Sequence, residues 1–191
     1  TVQRAEDALA GRLADASGQP LANLADANVW GPAAGPGTPA APGSGTLTFR
    51  IPTVINVSQT EGDNFGSFTP DEQMPGIPGT SASTDGIAVE VRTFIELPRG
   101  VVTMIVNSDD GFRTTAGFLN DAPLLLGEFN GGRSSSDTIF PVVVEEAGVY
   151  AFRTVYFEGG GNANLEWAIQ RADGSRVLLN DTANGGPQTY Q

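Results

Sequence analysis

The chain has 191 residues and carries 10 basic side chains, all arginine, against 22 acidic ones, for a formal net charge of -12. A surface this negative repels duplex nucleic acid and anionic membranes, and the length suffices for one domain with a full core plus an appendage. Cysteine and histidine are both absent, which excludes disulfides, thiolate or histidine metal sites, Ser-His-Asp triads and Cys-His dyads. What remains is carboxylate chemistry or a metal held by oxygen.

The N-terminal stretch Val2 to Ala16 puts Ala5, Leu9 and Leu13 at four-residue spacing with acidic residues early, which predicts a short amphipathic helix. A start at Thr1 is expected of a processed mature form or a piece excised from a longer protein. Repeated proline and glycine from Gly31 to Gly45 rule out helix or central strand and predict a linker or extended crossing loop. The expected organisation is a helical arm over 1–30, a Pro/Gly-rich linker over 31–45 and a β-sandwich over 46–191.

From Thr46 onward the pattern has period two, punctuated by glycine, proline, asparagine and aspartate. It predicts strands at Leu47 to Ile51, Val54 to Ser58, Ile87 to Leu97, Val101 to Asn107, Leu124 to Phe129, Thr138 to Glu145, Val149 to Phe157, Asn164 to Gln170 and Arg176 to Leu179. Leu97-Pro98-Arg99-Gly100 and Glu146-Ala147-Gly148 have the chemistry of hairpin connections. Alternation predicts Val89, Val91, Ile95 and Leu97 buried against outward Glu90, Arg92 and Glu96. Likewise it predicts Leu165, Trp167 and Ile169 inward, with Glu166 and Gln170 facing water. Residues 59–86, rich in glycine, proline, serine and aspartate, read as surface loops. Many short strands without a long helical run imply an all-β antiparallel sandwich. No stretch approaches the roughly 18 apolar residues that a membrane helix requires, so membrane insertion is not expected.

The run Val106-Asn107-Ser108-Asp109-Asp110-Gly111-Phe112-Arg113 ends an apolar strand with two adjacent carboxylates. Charges so close repel unless water, protonation or a cation compensates, and oxygen-only ligands suit a hard cation such as calcium. Asp-Asp-Gly is also ordinary turn chemistry, with the glycine taking positive φ. Gly159 to Gly161 read equally as a plain hairpin loop. Arg113 suits either a sugar hydroxyl or a nearby carboxylate, and Trp30 either a sugar face or an anchor for the linker. Asn56-Val57-Ser58 and Asn180-Asp181-Thr182 match the N-glycosylation pattern.

The order of Ser108-Asp109-Asp110-Gly111-Phe112-Arg113 followed by the block Phe140 to Trp167 resembles the protective-antigen-type sugar-binding domain, found in bacterial adhesin modules and yeast flocculin lectins. The resemblance covers roughly Ile87 to Leu179. It implies that Asp109 and Asp110 join through a cis peptide and both bind calcium, with sugar hydroxyls completing the shell. It also implies further oxygens from the loop Glu158 to Asn164, with Glu158, Asn162 and Asn164 as candidate ligands. Asn162, Asn164 and Arg113 are the candidate sugar contacts. The three glycines and the lack of an aromatic residue before Trp167 depart from the flocculin pattern.

The function expected from this reading is a noncatalytic extracellular or cell-surface carbohydrate-binding adhesin module that takes a glycan and calcium. The alternative is a structural subunit or repeat of a filament or surface layer, joined to other copies of itself through the N-terminal arm. An enzyme is not expected. Glu128, Glu158, Asp109 and Asp110 would have to supply the paired carboxylates of a glycosidase.

Overall fold

The computed structural model describes residues 1–31, 34–41, 45–117 and 123–191. Pro32, Ala33 and 42–44, within the expected linker, lie outside the described residues. In chain order the elements are α1 (Val2–Leu9), β1 (Thr38–Pro39), β2 (Leu47–Thr48), β3 (Asn56–Ser58), β4 (Glu72–Gln73), β5 (Ile87–Leu97) and β6 (Gly100–Asp109). Then follow β7 (Gly111–Ala116), β8 (Leu124–Phe129), β9 (Ser136–Val144), β10 (Gly148–Glu158), β11 (Asn164–Gln170), β12 (Arg176–Leu178) and β13 (Thr189–Tyr190).

Two sheets face each other, one in the order β13-β5-β10-β7-β8 and one in the order β4-β3-β11-β6-β9, with β12 added on β11. All their pairs are antiparallel except β3 with β4. Between them lie Trp167, Tyr156, Phe112, Phe152, Met104 and Ile95, all essentially free of solvent. Phe152 meets Trp167 edge-on at 6.2 Å, a favoured aromatic geometry. Ile95 and Leu97 are buried, and Val89, Val91 and Ile169 pack on the same core, as alternation predicts.

The two expected hairpins are not hairpins. β5 and β6 lie in different sheets, as do β9 and β10, so Pro98-Arg99 and Glu145-Glu146-Ala147 carry the chain from one sheet to the other. Alternation in a sequence tells which face of a strand is apolar, and a sandwich satisfies it whichever sheet the next strand joins. Residues Gly111–Ala116, absent from the expected strands, form a full strand between β10 and β8.

Glu166 departs from its expected exposure: it is 2% exposed. The loop over 59–86 folds across the outer face of the β11 sheet, and its backbone finds the carboxylate. Ser67 N–H donates to Oε1 and Oε2 of Glu166 at 2.8 and 3.0 Å, and Phe68 N–H donates to Oε1 at 2.9 Å. A Cβ at position 66 would run into that carboxylate, and Gly66 has φ +67, so glycine is required there twice over. Asn56 donates to the carbonyls of Phe68 and Pro70, both at 3.1 Å, which stitches the same loop to β3. Ile105, Ala168 and Leu178 form a small apolar layer under it, with Val54 and Phe68 against them. Both glycosylation motifs are absorbed structurally: Asn56 is buried, and Asn180 donates to the carbonyls of Pro52 and Thr53.

Helix α1 ends at Leu9, earlier than the expected Ala16, and Thr1 caps it by accepting from Arg4 N–H. Its Val2 and Ala5 are buried against Val155 and Phe157 on the outer face of β10. Glu6 receives both terminal nitrogens of Arg153 at 2.7 Å, and Arg153 also pairs with Glu90. Truncating this shared guanidinium takes the ion-pair partner from Glu6 and leaves Glu90 with Arg92 alone, so Arg153→Ala should lower stability by about 1–2 kcal/mol. Urea unfolding checks this, and a loss under about 0.5 kcal/mol would mean the pairs are solvated. Further along, Gly37 N–H donates to Ala27 O at 2.8 Å and β1 pairs with β2, so the Pro/Gly-rich stretch runs against the domain. Trp30 stays partly exposed beside Val29, whose carbonyl accepts from Gly76 N–H.

Candidate functional site

The acid pair sits where the chain changes sheets. β6 ends at Asp109, β7 begins at Gly111, and Asp110 alone makes the crossing, with the Asp109-Asp110 peptide cis. Gly111 does not take the positive φ expected of a turn glycine. It is glycine for room: a Cβ there would lie 2.5 Å from Phe129 O and 2.6 Å from the Phe157 ring.

A second crossing lies at the same end. β10 ends at Glu158, residues 159–163 pass to the other sheet, and β11 begins at Asn164 directly opposite Asp109. A third, between β8 and β9, brings Arg133. Asp110 ties all three together, since its Oδ2 accepts from Gly159 N–H and its Oδ1 from Arg133 N–H, each at 3.0 Å. Arg133 Nε donates to Ser108 O at 3.1 Å and to Asp110 O at 3.3 Å, and its terminal nitrogens donate to Ser108 Oγ and Thr138 Oγ1. Its guanidinium also lies 4.3 Å from the Phe129 ring centre, in cation-π range. The phenol of Tyr156 donates to Asp109 O from beneath.

This corner is electrostatically unsatisfied. Glu158 is 2% exposed, and neither carboxylate oxygen receives a hydrogen bond of good geometry, the Gly86 amide giving only slight relief. Burial, then the negative charges of Asp85, Asp110 and Asp109, push its carboxyl up to about 7. Asp109 is also raised, first by burial and then by Asp110, with partial relief from Ser135 and Arg133. Asn164 donates to Asn107 Oδ1 at 2.9 Å while its own Oδ1 is buried without a partner. Orphaned buried oxygens are rare in native proteins and call for a compensating donor, proton or ion.

The structure therefore brings Asp109, Asp110, Glu158 and Asn164 together, with Asn162 exposed on the connecting loop. Arg113 goes elsewhere. It pairs with Glu128 across β7 and β8, on the face where α1 packs. That also occupies Glu128, one of the carboxylates a glycosidase would need. Sequence reasoning missed two members: Asp85, which accepts from Gly161 N–H at 3.3 Å, and Arg133. Neither belongs to a local motif; only the meeting of separate crossings puts them here.

The residues fit a hard cation in chemistry, since every donor is a carboxylate or amide oxygen and three of those oxygens are buried and unpaired. Among the described residues no three acidic side chains converge closely enough to form a metal cage. An ion here would draw on two carboxylates plus amide, backbone or ligand oxygens.

No family model and no curated protein matches the sequence. Among solved structures, the chain is similar to an anti-sigma factor domain-containing protein at 18% identity and TM-score 0.53, covering 75% of this chain and 42% of that one. It is also similar to a PA14 sugar-binding domain from an RTX adhesin at 19% identity and TM-score 0.48, over 69% of this chain and 74% of that one. A third similar structure is the PA14 domain of an antifreeze protein, at 18% identity and TM-score 0.42, over 53% of this chain and 50% of that one. The likeness to the first of these is one of fold alone.

Proposed function

We propose that this chain is a noncatalytic glycan-binding module of an adhesin-like protein at the cell surface or outside the cell, with calcium at the Asp109-Asp110 corner. The observation that carries it is the Glu158 carboxylate, buried without a hydrogen bond of good geometry and facing further negative charge from Asp85, Asp110 and Asp109. Two carboxylates from the set Asp109, Asp110 and Glu158 would hold the ion with amide oxygens of Asn162 and Asn164, and the ion would present open coordination positions to vicinal sugar hydroxyls. The chain's own contribution is a fixed, desolvated set of oxygens spread over two sheet crossings. A neutral glycan suits this corner, because the guanidinium of Arg133 is already spent on Ser108, Asp110 and Thr138.

Calorimetric titration of calcium into chelator-treated protein, followed by a glycan array with and without chelator, tests the proposal. Wild type should bind the ion and retain glycan only in its presence, while Glu158→Gln should weaken ion binding by about tenfold or more. Glycan retention that ignores chelator would overturn the calcium part. Cleavage of polysaccharide by the purified chain would overturn the noncatalytic part. The structural-subunit alternative asks α1 to dock on a neighbouring copy, yet the apolar face of α1 is already buried on its own β10.

A further inference from the structure

The turn before β5 supplies a third wall to the acid corner. Ile87, the first residue of β5, stands opposite Glu158, the last of β10, so the antiparallel ladder delivers Asp85 to the loop that follows β10. Asp85 Oδ1 accepts from Gly161 N–H at 3.3 Å, and Asp110 Oδ2 accepts from Gly159 N–H at 3.0 Å. Two carboxylates from different crossings thus bracket three consecutive glycines. A methyl group added at Gly160 would lie 3.9 Å from Asp85 Cγ, ordinary contact distance, and Gly161 has φ +110. Glycine backbones have wide conformational freedom and no side chain to restrain them. The shape of this loop is therefore imposed from outside.

We propose that Asp85 is a positioning residue for the ligand loop: by accepting from Gly161 it holds the stretch carrying Glu158, Asn162 and Asn164 in the shape that a ligand meets. The effect on ligand rests on the calcium-site reading above, whereas the clamp itself needs no ion. Asp85 acts through geometry, so an uncharged acceptor of the same shape preserves its role, and a truncated side chain does not.

The variants that separate these cases are Asp85→Asn and Asp85→Ala. Water-exchange NMR on calcium-free protein reads the Gly161 amide, and calorimetry with calcium chloride reads the ion. Asp85→Ala should speed Gly161 exchange by about five- to tenfold, the factor expected for loss of one ordinary hydrogen bond. It should weaken calcium binding by a similar factor, because the ion must then reorder the loop. Asp85→Asn should stay within about threefold of wild type on both readings. Gly161 exchange unchanged in Asp85→Ala, or raised equally in both variants, would overturn the positioning role. A wild type that takes up no calcium while the exchange pattern holds would instead remove the calcium reading and leave the clamp supported.

Discussion

Glu166→Ala is expected to cost about 3 kcal/mol of stability and to release the loop over 59–86 from the outer face of its sheet. Glu166 is buried and receives three amide contacts, from Ser67 and Phe68. Removing it leaves two donors facing an apolar layer, and each unsatisfied buried donor costs about 1–3 kcal/mol. Burial raises the carboxyl of Glu166, while the Phe68 and Ser67 amides pull it back down. The ionised form therefore already gives up hydration, and the loss stays in the lower half of the about 2–6 kcal/mol that two such donors imply. Glu166→Gln keeps one acceptor and should fall between wild type and alanine. Gly66→Ala attacks the same contact from the other side, since its Cβ would occupy the carboxylate's position at a φ of +67. Urea unfolding gives the energy and limited proteolysis gives the place, with new cleavage confined to 59–86. Unfolding midpoints unmoved by both Glu166→Ala and Gly66→Ala would show that the loop contributes no stability through this contact.

The second large effect is a pH dependence set by Glu158. Its carboxyl lies at about 7 in the folded chain against an ordinary 4.5, so between those values the unfolded chain has released a proton that the folded chain keeps. The folded state binds more protons there, and stability falls as pH rises through that window. Fully expressed, the difference amounts to about 3 kcal/mol lost between pH 4.5 and pH 7 in ion-free protein. Glu158→Gln removes the titrating group and keeps an acceptor for the Gly86 amide, the one backbone group that favours the carboxylate. The variant should be more stable than wild type at pH 8 and equal to it near pH 4. Thermal melts across pH 4 to 8 in chelator check this. A wild-type profile as flat as that of the variant would mean that water reaches the carboxylate.

Both effects come from acids whose surroundings a sequence does not display. Glu166 sits in a clean alternating run between Leu165 and Trp167, and alternation alone sends it to water. It is buried because a loop about a hundred residues earlier in the chain covers that face and offers two backbone amides. Glu158 follows Phe157 at the end of an aromatic strand, and the negative charges that add to the effect of its burial come from Asp85 and Asp110, on other segments of the chain. By contrast, the inward positions of Ile95, Leu97, Leu165 and Trp167 were readable from period two, because one side of each strand must leave water whichever strands become its neighbours.

Composition and periodicity by themselves determined an all-β sandwich, a short N-terminal helix, a strongly acidic surface and a chemistry limited to oxygen ligands, since these depend only on residue types and their local spacing. The sequence also singled out Asp109-Asp110 and the stretch Glu158 to Asn164 as the places to look. Tertiary structure alone decided that three crossings between sheets converge there, that Arg113 pairs with Glu128 on another face, and that Asp85 and Arg133 belong to the corner instead. The physical reason is that strand pairing joins residues far apart in the chain. The charge, burial and hydrogen bonding of each site group are set by those distant partners.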